Sequence, residues 1–157
     1  MNQEFDPSFE ADPNKKGYRR ALNDINLVFD LLGIEAAPPN VSFLHYYFGA
    51  EKVAKAIVGI SKRYPSKRPI SKKEFCVEEI CRAIDDIDLT FDKLAIEDIF
   101  GNSPLSARKI RNRFVHQIGP SHAMQIRDNA VRLVPMMKDF VERRTEVFVY
   151  LERLKTR

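Results

Sequence analysis

Cysteine is scarce in this 157-residue sequence, and long apolar runs are absent. The two cysteines, Cys76 and Cys81, lie five apart on a predicted helix. They point in different directions and cannot bridge locally, so they read as free thiols of a reducing cytosol. No run of about 18 apolar residues occurs, so no membrane span is indicated. The opening MNQEFDPSFEADPNKK is acidic and polar and lacks the charged-then-apolar order of a secretion signal. Internal repeats, low-complexity tracts and sustained strand-like alternation are missing too. There is no glycine-rich phosphate loop, no nucleophile elbow and no pair of carboxylates in a plausible cleft, which leaves the common enzyme classes little support. The three histidines, His45, His116 and His122, form no H-x-x-x-H pair and join no cysteine cluster. No metal site and no cofactor are expected.

What is present is the composition of one soluble domain, 44% apolar and 31% charged. The net charge of +4 hides a block pattern. Residues 1–51 carry 4 basic and 8 acidic side chains, and residues 52–73 carry 8 basic and none acidic. Residues 74–98 carry 2 basic and 9 acidic, and residues 103–157 carry 12 basic and 5 acidic. Such blocks are either solvated faces that pair across a helical bundle or two basic segments that meet as an anion-binding surface.

Residues 1–15, broken by Pro7 and Pro13, read as a flexible arm, and residues 16–157 as an all-α, up-and-down bundle of four to five helices. Leu22, Ile25, Phe29 and Leu32 mark a first helix over 16–32, stopped by Gly33. A second helix over 41–64 has two greasy faces: Tyr46, Val53, Ile57 and Ile60 on one side, and Leu44, Phe48 and Val58 on the other, beside Glu51 and Lys55. That helix should be buried against two neighbours. A basic loop, KRYPSKRPI, follows. Ser71 and Glu74 form a capping box for a third helix over 71–94, whose run Asp85, Asp86, Asp88 and Asp92 reads as a solvated face rather than a magnesium site. Ser103 is the expected N-cap of a fourth helix that ends before Gly119-Pro120. The fifth spans 121–155, with a kink or break near 131–134 caused by Pro135.

The fourth helix contains RNRFVH, residues 111 to 116. At about 100° per residue, Ala107, Ile110, Phe114 and Ile118 fall on one stripe, which must face the core. Arg108, Asn112 and His116 fall together on the opposite side, with Lys109 and Arg113 nearby. Arg111 flanks the stripe. His116 therefore points away from the core, and the plain alternative is a surface helix rich in basic residues. Arg111 and His116 are five apart, roughly 140° around the axis, and do not lie side by side. Either the long arginine reaches around the helix, or a second copy supplies the missing group across a two-fold contact.

R-N-x-x-x-H near the start of a late helix in a small helical protein resembles the HEPN superfamily, whose pattern is an arginine, a polar residue, and a histidine after four to six intervening residues. Arg111, Asn112 and His116 fit it, and KIRNRFVHQIG has the typical texture. A weaker echo is FLHYYFGAEKVAKAIVG, residues 43 to 59, with Glu51, Lys52 and Lys55. The resemblance implies an HEPN-like bundle and a metal-independent endoribonuclease, cytoplasmic and homodimeric, in the manner of a toxin or anti-phage effector held by an antitoxin or regulatory protein. It implies catalytic roles for His116 as general acid or base, Arg111 as phosphate clamp and Asn112 as orienter. Arg108, Arg113, Lys52, Lys55, Lys62 and Arg63 would contact RNA phosphates. The main rival is a non-catalytic HEPN-like module that binds RNA, nucleotides or another protein. A helix-turn-helix DNA reader is disfavoured, because no recognition-helix pattern follows Gly119-Pro120.

Overall fold

The computed structural model describes residues 13–61 and 75–155, which form helices and no strand. Helix α1 spans Pro13–Leu32 and starts at a proline, whose missing N–H costs nothing at a first helical position. Leu22, Ile25 and Phe29 are buried as their spacing requires, while Leu32 is exposed. Gly33 ends the helix in the left-handed region, at φ 65°. After a short 3-10 turn at Ile34–Ala36, α2 spans Pro39–Ile60, and more than half of its residues are buried.

Helix α2 is the central element. Its two apolar faces are met by α1 on one side and by α6, Pro120–Glu142, on another, with α3, Val77–Asp86, and α5, Ala107–His116, also packed on it. Gly49 permits this crowding. A Cβ there would lie 2.8 Å from Phe29 Cζ and 3.3 Å from Val141 Cγ2, so α1 and α6 close in where α2 has no side chain. Phe48, placed on the second apolar face by the sequence, is exposed, whereas Val58 on the same face is fully buried.

The continuous third helix expected over 71–94 is instead two. Helix α3 stops at Asp86, and α4 covers Lys93–Phe100. Asp88 adopts φ 56°, the Leu89 N–H bonds back to the Ile84 carbonyl at 2.9 Å, and the Asp88 N–H bonds to the Asp85 carbonyl at 3.1 Å. That is the 6→1 and 5→2 closure of a helix end, with aspartate where glycine is commoner. Asp92 then opens α4 by accepting from the Leu94 N–H at 2.9 Å. The acidic run is consumed by a stop and a start, while Asp85 pairs with Lys93 at 2.9 Å. The proposed capping box at Ser71 lies outside the described residues.

Two further boundaries differ. The N-cap of α5 is Ser106, not Ser103. Buried Ser106 accepts from the Lys109 N–H at 3.2 Å and donates to the Gly101 carbonyl at 2.9 Å. Ser103 serves only the turn before it, accepting from the Leu105 N–H at 3.4 Å. Pro135 does not break α6. The carbonyl it strands is that of Val131, itself exposed, so water can take the lost bond. The break comes at Arg143, and α7 covers Arg144–Lys155.

A chain of ring contacts runs through the core. Phe91 meets Phe140 at 5.1 Å, Phe140 meets Phe100 at 5.8 Å, and Phe100 meets both Tyr47 at 6.0 Å and Phe75 at 5.7 Å. Phe100 thus ties α4 to α2 beneath the basic helix α5. Cys76 and Cys81 are unbridged. Among the described residues, no helix is long and apolar enough to cross a membrane.

Candidate functional site

Ala107 and Ile110 are fully buried, which fixes the rotation of α5 and sends its basic residues outward or along its flanks. Phe114 is partly buried against the core, but Ile118 is 81% exposed, because the helix ends at His116 before the stripe reaches it.

Arg111 leans onto α2. Its guanidinium carbon sits 4.6 Å from the centre of the Tyr47 ring, and its Nη2 donates to Glu51 Oε2 at 3.0 Å and to the Tyr47 hydroxyl at 3.4 Å. Glu51 also accepts from Lys55 Nζ at 3.3 Å, and Lys55 Nζ lies 5.4 Å from the Phe75 ring centre. Among the described residues, Arg111 Nε is enclosed without an acceptor, whereas Nη1 is neither hydrogen-bonded nor enclosed. The guanidinium is therefore clamped on one edge and over one face, with one nitrogen open to an incoming acceptor. Burial pushes the Tyr47 hydroxyl up to about 12, against the lowering effect of its bond with Arg111. It stays protonated at any physiological pH.

Asn112 is half-exposed and His116 exposed, and neither makes a hydrogen bond among the described residues. Within one chain, Arg111 turns toward α2 while His116 stands at the far end of α5. An apolar groove of about 330 Å³ opens at that end, between the start of α2 (Val41, Leu44), Phe114 of α5 and the start of α6 (Met124). Val41 and Met124 in the groove, and Val115 and Ile118 near His116 in the chain, are all exposed.

The other expected phosphate contacts that are described each touch a group of the same chain. Arg108 donates through Nε to the Phe100 carbonyl at 3.0 Å, and through Nη2 to the Gly101 carbonyl at 3.4 Å and to Asn102 Oδ1. It thereby satisfies the end of α4, where helix carbonyls lack partners. Arg113 bonds Gln125 Oε1 at 3.0 Å and the Pro104 carbonyl, joining α5 to α6. Lys52 lies over the Phe48 ring at 5.0 Å. Lys62 and Arg63 fall outside the described residues. No group of three or more His, Cys, Asp or Glu that could hold a metal is gathered among the described residues.

Tyr47 and Glu51 were given no role by the sequence. A signal existed: Tyr47, Glu51 and Lys55 are spaced by four and share one stripe of α2. Their partner, however, lies 60 residues further on in the case of Glu51, and no local pattern announces it. In comparisons with protein-family models, curated proteins and solved structures, nothing matches the chain.

Proposed function

We propose that the chain is an HEPN-like, metal-independent endoribonuclease acting as a homodimer in the cytoplasm, with the role of a toxin or anti-phage effector. The observation that carries the reading is Arg111, gripped by Glu51 and Tyr47 through Nη2 and one ring face while Nη1 is left open. A guanidinium so fixed meets a phosphate oxygen without losing further side-chain freedom, which is the arrangement expected of a group that stabilises charge building on phosphorus.

RNA carries its own nucleophile. The 2′-oxygen attacks the adjacent phosphorus, the 2′ proton passes to a base, and the bond to the 5′-oxygen breaks as that oxygen is protonated. The products are a 2′,3′-cyclic phosphate and a 5′-hydroxyl. His116, exposed and unpaired among the described residues, is suited to one proton transfer, and Asn112 to orienting the phosphate. Two His116 side chains brought together by a two-fold contact would serve both transfers. The apolar groove at the end of α5 where His116 lies is a surface for that contact, because closing it covers Val41 and Met124.

One observation favours the non-catalytic alternative, in which the chain binds RNA or nucleotides. Arg111 already holds a carboxylate, and a phosphate shares the guanidinium with Glu51 rather than meeting it free. Incubation of purified protein with mixed RNA in EDTA separates the two readings. Cyclic phosphate and 5′-hydroxyl ends support the nuclease; intact RNA with measurable binding supports the alternative.

A further inference from the structure

A second hollow, of about 470 Å³, lies at the start of α5, whereas the first groove lies near its end. Arg108 borders it, one helical turn from Arg111. Its walls come from Phe75 and Glu78 at the start of α3, Glu97 at the end of α4, and Gly101 and Asn102 in the loop that follows.

Gly101 keeps the hollow open. Its φ of −75° is ordinary, so the backbone does not demand glycine, but space does. A Cβ would lie 2.3 Å from the Glu97 carbonyl oxygen and 2.5 Å from Glu97 Oε2. Arg108 makes the polarity of the wall specific. Its Nε and Nη2 are spent on the Phe100 and Gly101 carbonyls and on Asn102 Oδ1, which leaves only Nη1 without a hydrogen bond among the described residues. By occupying Asn102 Oδ1, it leaves the Asn102 amide nitrogen as a donor with no acceptor among the described residues. The Glu97 carboxylate has no hydrogen bond or ion pair among the described residues, and Glu78 accepts only from Cys76 Sγ, at 3.5 Å. Phe75 is half-buried, edge-on to Phe100. The hollow therefore presents an unpaired carboxylate, an unpaired amide donor and an aromatic ring.

A phosphate is repelled by the two carboxylates, and adenine, cytosine and uracil each offer only one N–H-bearing nitrogen on their pairing edge, with a lone pair beside it. A base edge with two neighbouring N–H donors followed by a carbonyl is complementary, and among the RNA bases that edge is guanine's. We propose that this hollow takes a guanine base of the strand whose phosphate lies on Arg111, with Glu97 accepting from N1–H and the exocyclic amine and Asn102 donating to O6. The assignment rests on the RNA reading above and gives it a base preference.

The test is titration calorimetry of the full chain with guanosine 5′-monophosphate and, separately, adenosine 5′-monophosphate, followed by mapping of cleavage sites in mixed RNA. Guanosine monophosphate should bind about tenfold tighter or more. Glu97→Gln, a change of an exposed side chain, should abolish most of that preference and flatten the cleavage map. Equal binding of the two nucleotides overturns the proposal, as does a guanine preference untouched by Glu97→Gln. RNA cleaved with no base preference in the wild type removes the base pocket and leaves the nuclease standing. A Glu97-dependent guanine preference without cleavage keeps the pocket and removes the nuclease.

Discussion

Arg111 on α5 and Glu51 on α2, 60 residues apart in the chain, meet at 3.0 Å, and Tyr47 closes the third side with its ring 4.6 Å beneath the guanidinium carbon. The pair is partly shielded, with 29% and 17% of the two side chains exposed. A pair of that exposure contributes about 1 kcal/mol to stability. Its larger consequence is positional, because it selects one orientation of a side chain that would otherwise sample many.

Glu51→Gln keeps an acceptor for Arg111 but removes the charge. The expected result is a loss of about 1 kcal/mol or less in urea unfolding. In RNA assays the turnover rate should fall by about tenfold, with binding changed by about twofold or less, since positioning acts on the reacting geometry more than on affinity. Tighter RNA binding with unchanged turnover would mean that Glu51 masks Arg111 instead of holding it.

Tyr47 gives a pH dependence of known sign. At pH values below 10.0, the ordinary tyrosine value, its hydroxyl is protonated in both the folded and the unfolded chain. As pH rises from there to about 12, the unfolded chain ionises while the folded one does not. Stability is therefore full below that window and falls through it, by about 1.4 kcal/mol per pH unit from this group. Tyr47→Phe should flatten that part of the decline. A decline of equal slope in the variant assigns it to other groups.

The start of α5 separates two serines that look alike in sequence. Ser106→Ala removes a buried cap that both accepts from Lys109 N–H and donates to the Gly101 carbonyl, and should cost about 1–2 kcal/mol. Ser103→Ala should cost about 0.5 kcal/mol or less, as expected for an exposed position. Thermal unfolding of the two variants side by side checks the assignment, and a reversed order contradicts it.

The all-helical class and the rotation of α5 were legible because they depend on local period: Ala107 and Ile110 are apolar where a buried face must be, and both are buried. The division of the acidic segment was not, because the same four aspartates that read as a solvated face include Asp88, which ends α3, and Asp92, which begins α4. Pro135 leaves α6 unbroken, since the cost of a missing N–H depends on whether water reaches the stranded carbonyl, a tertiary property. Arg111 was legible as the flank of the stripe. Its partners Tyr47 and Glu51 were not, because only packing α2 against α5 brings them together. Arg108 also holds the end of α4, a role visible only once the loop at Gly101 is placed.

The central claim is that Arg111 and His116 together act on an RNA phosphodiester. The most direct measurement is the rate of RNA cleavage in EDTA by the wild type, Arg111→Ala and His116→Ala, with circular dichroism confirming that all three are folded. The account predicts cleavage by the wild type and a drop of about 100-fold or more in each variant. Cleavage that persists at the wild-type rate in either folded variant would contradict it.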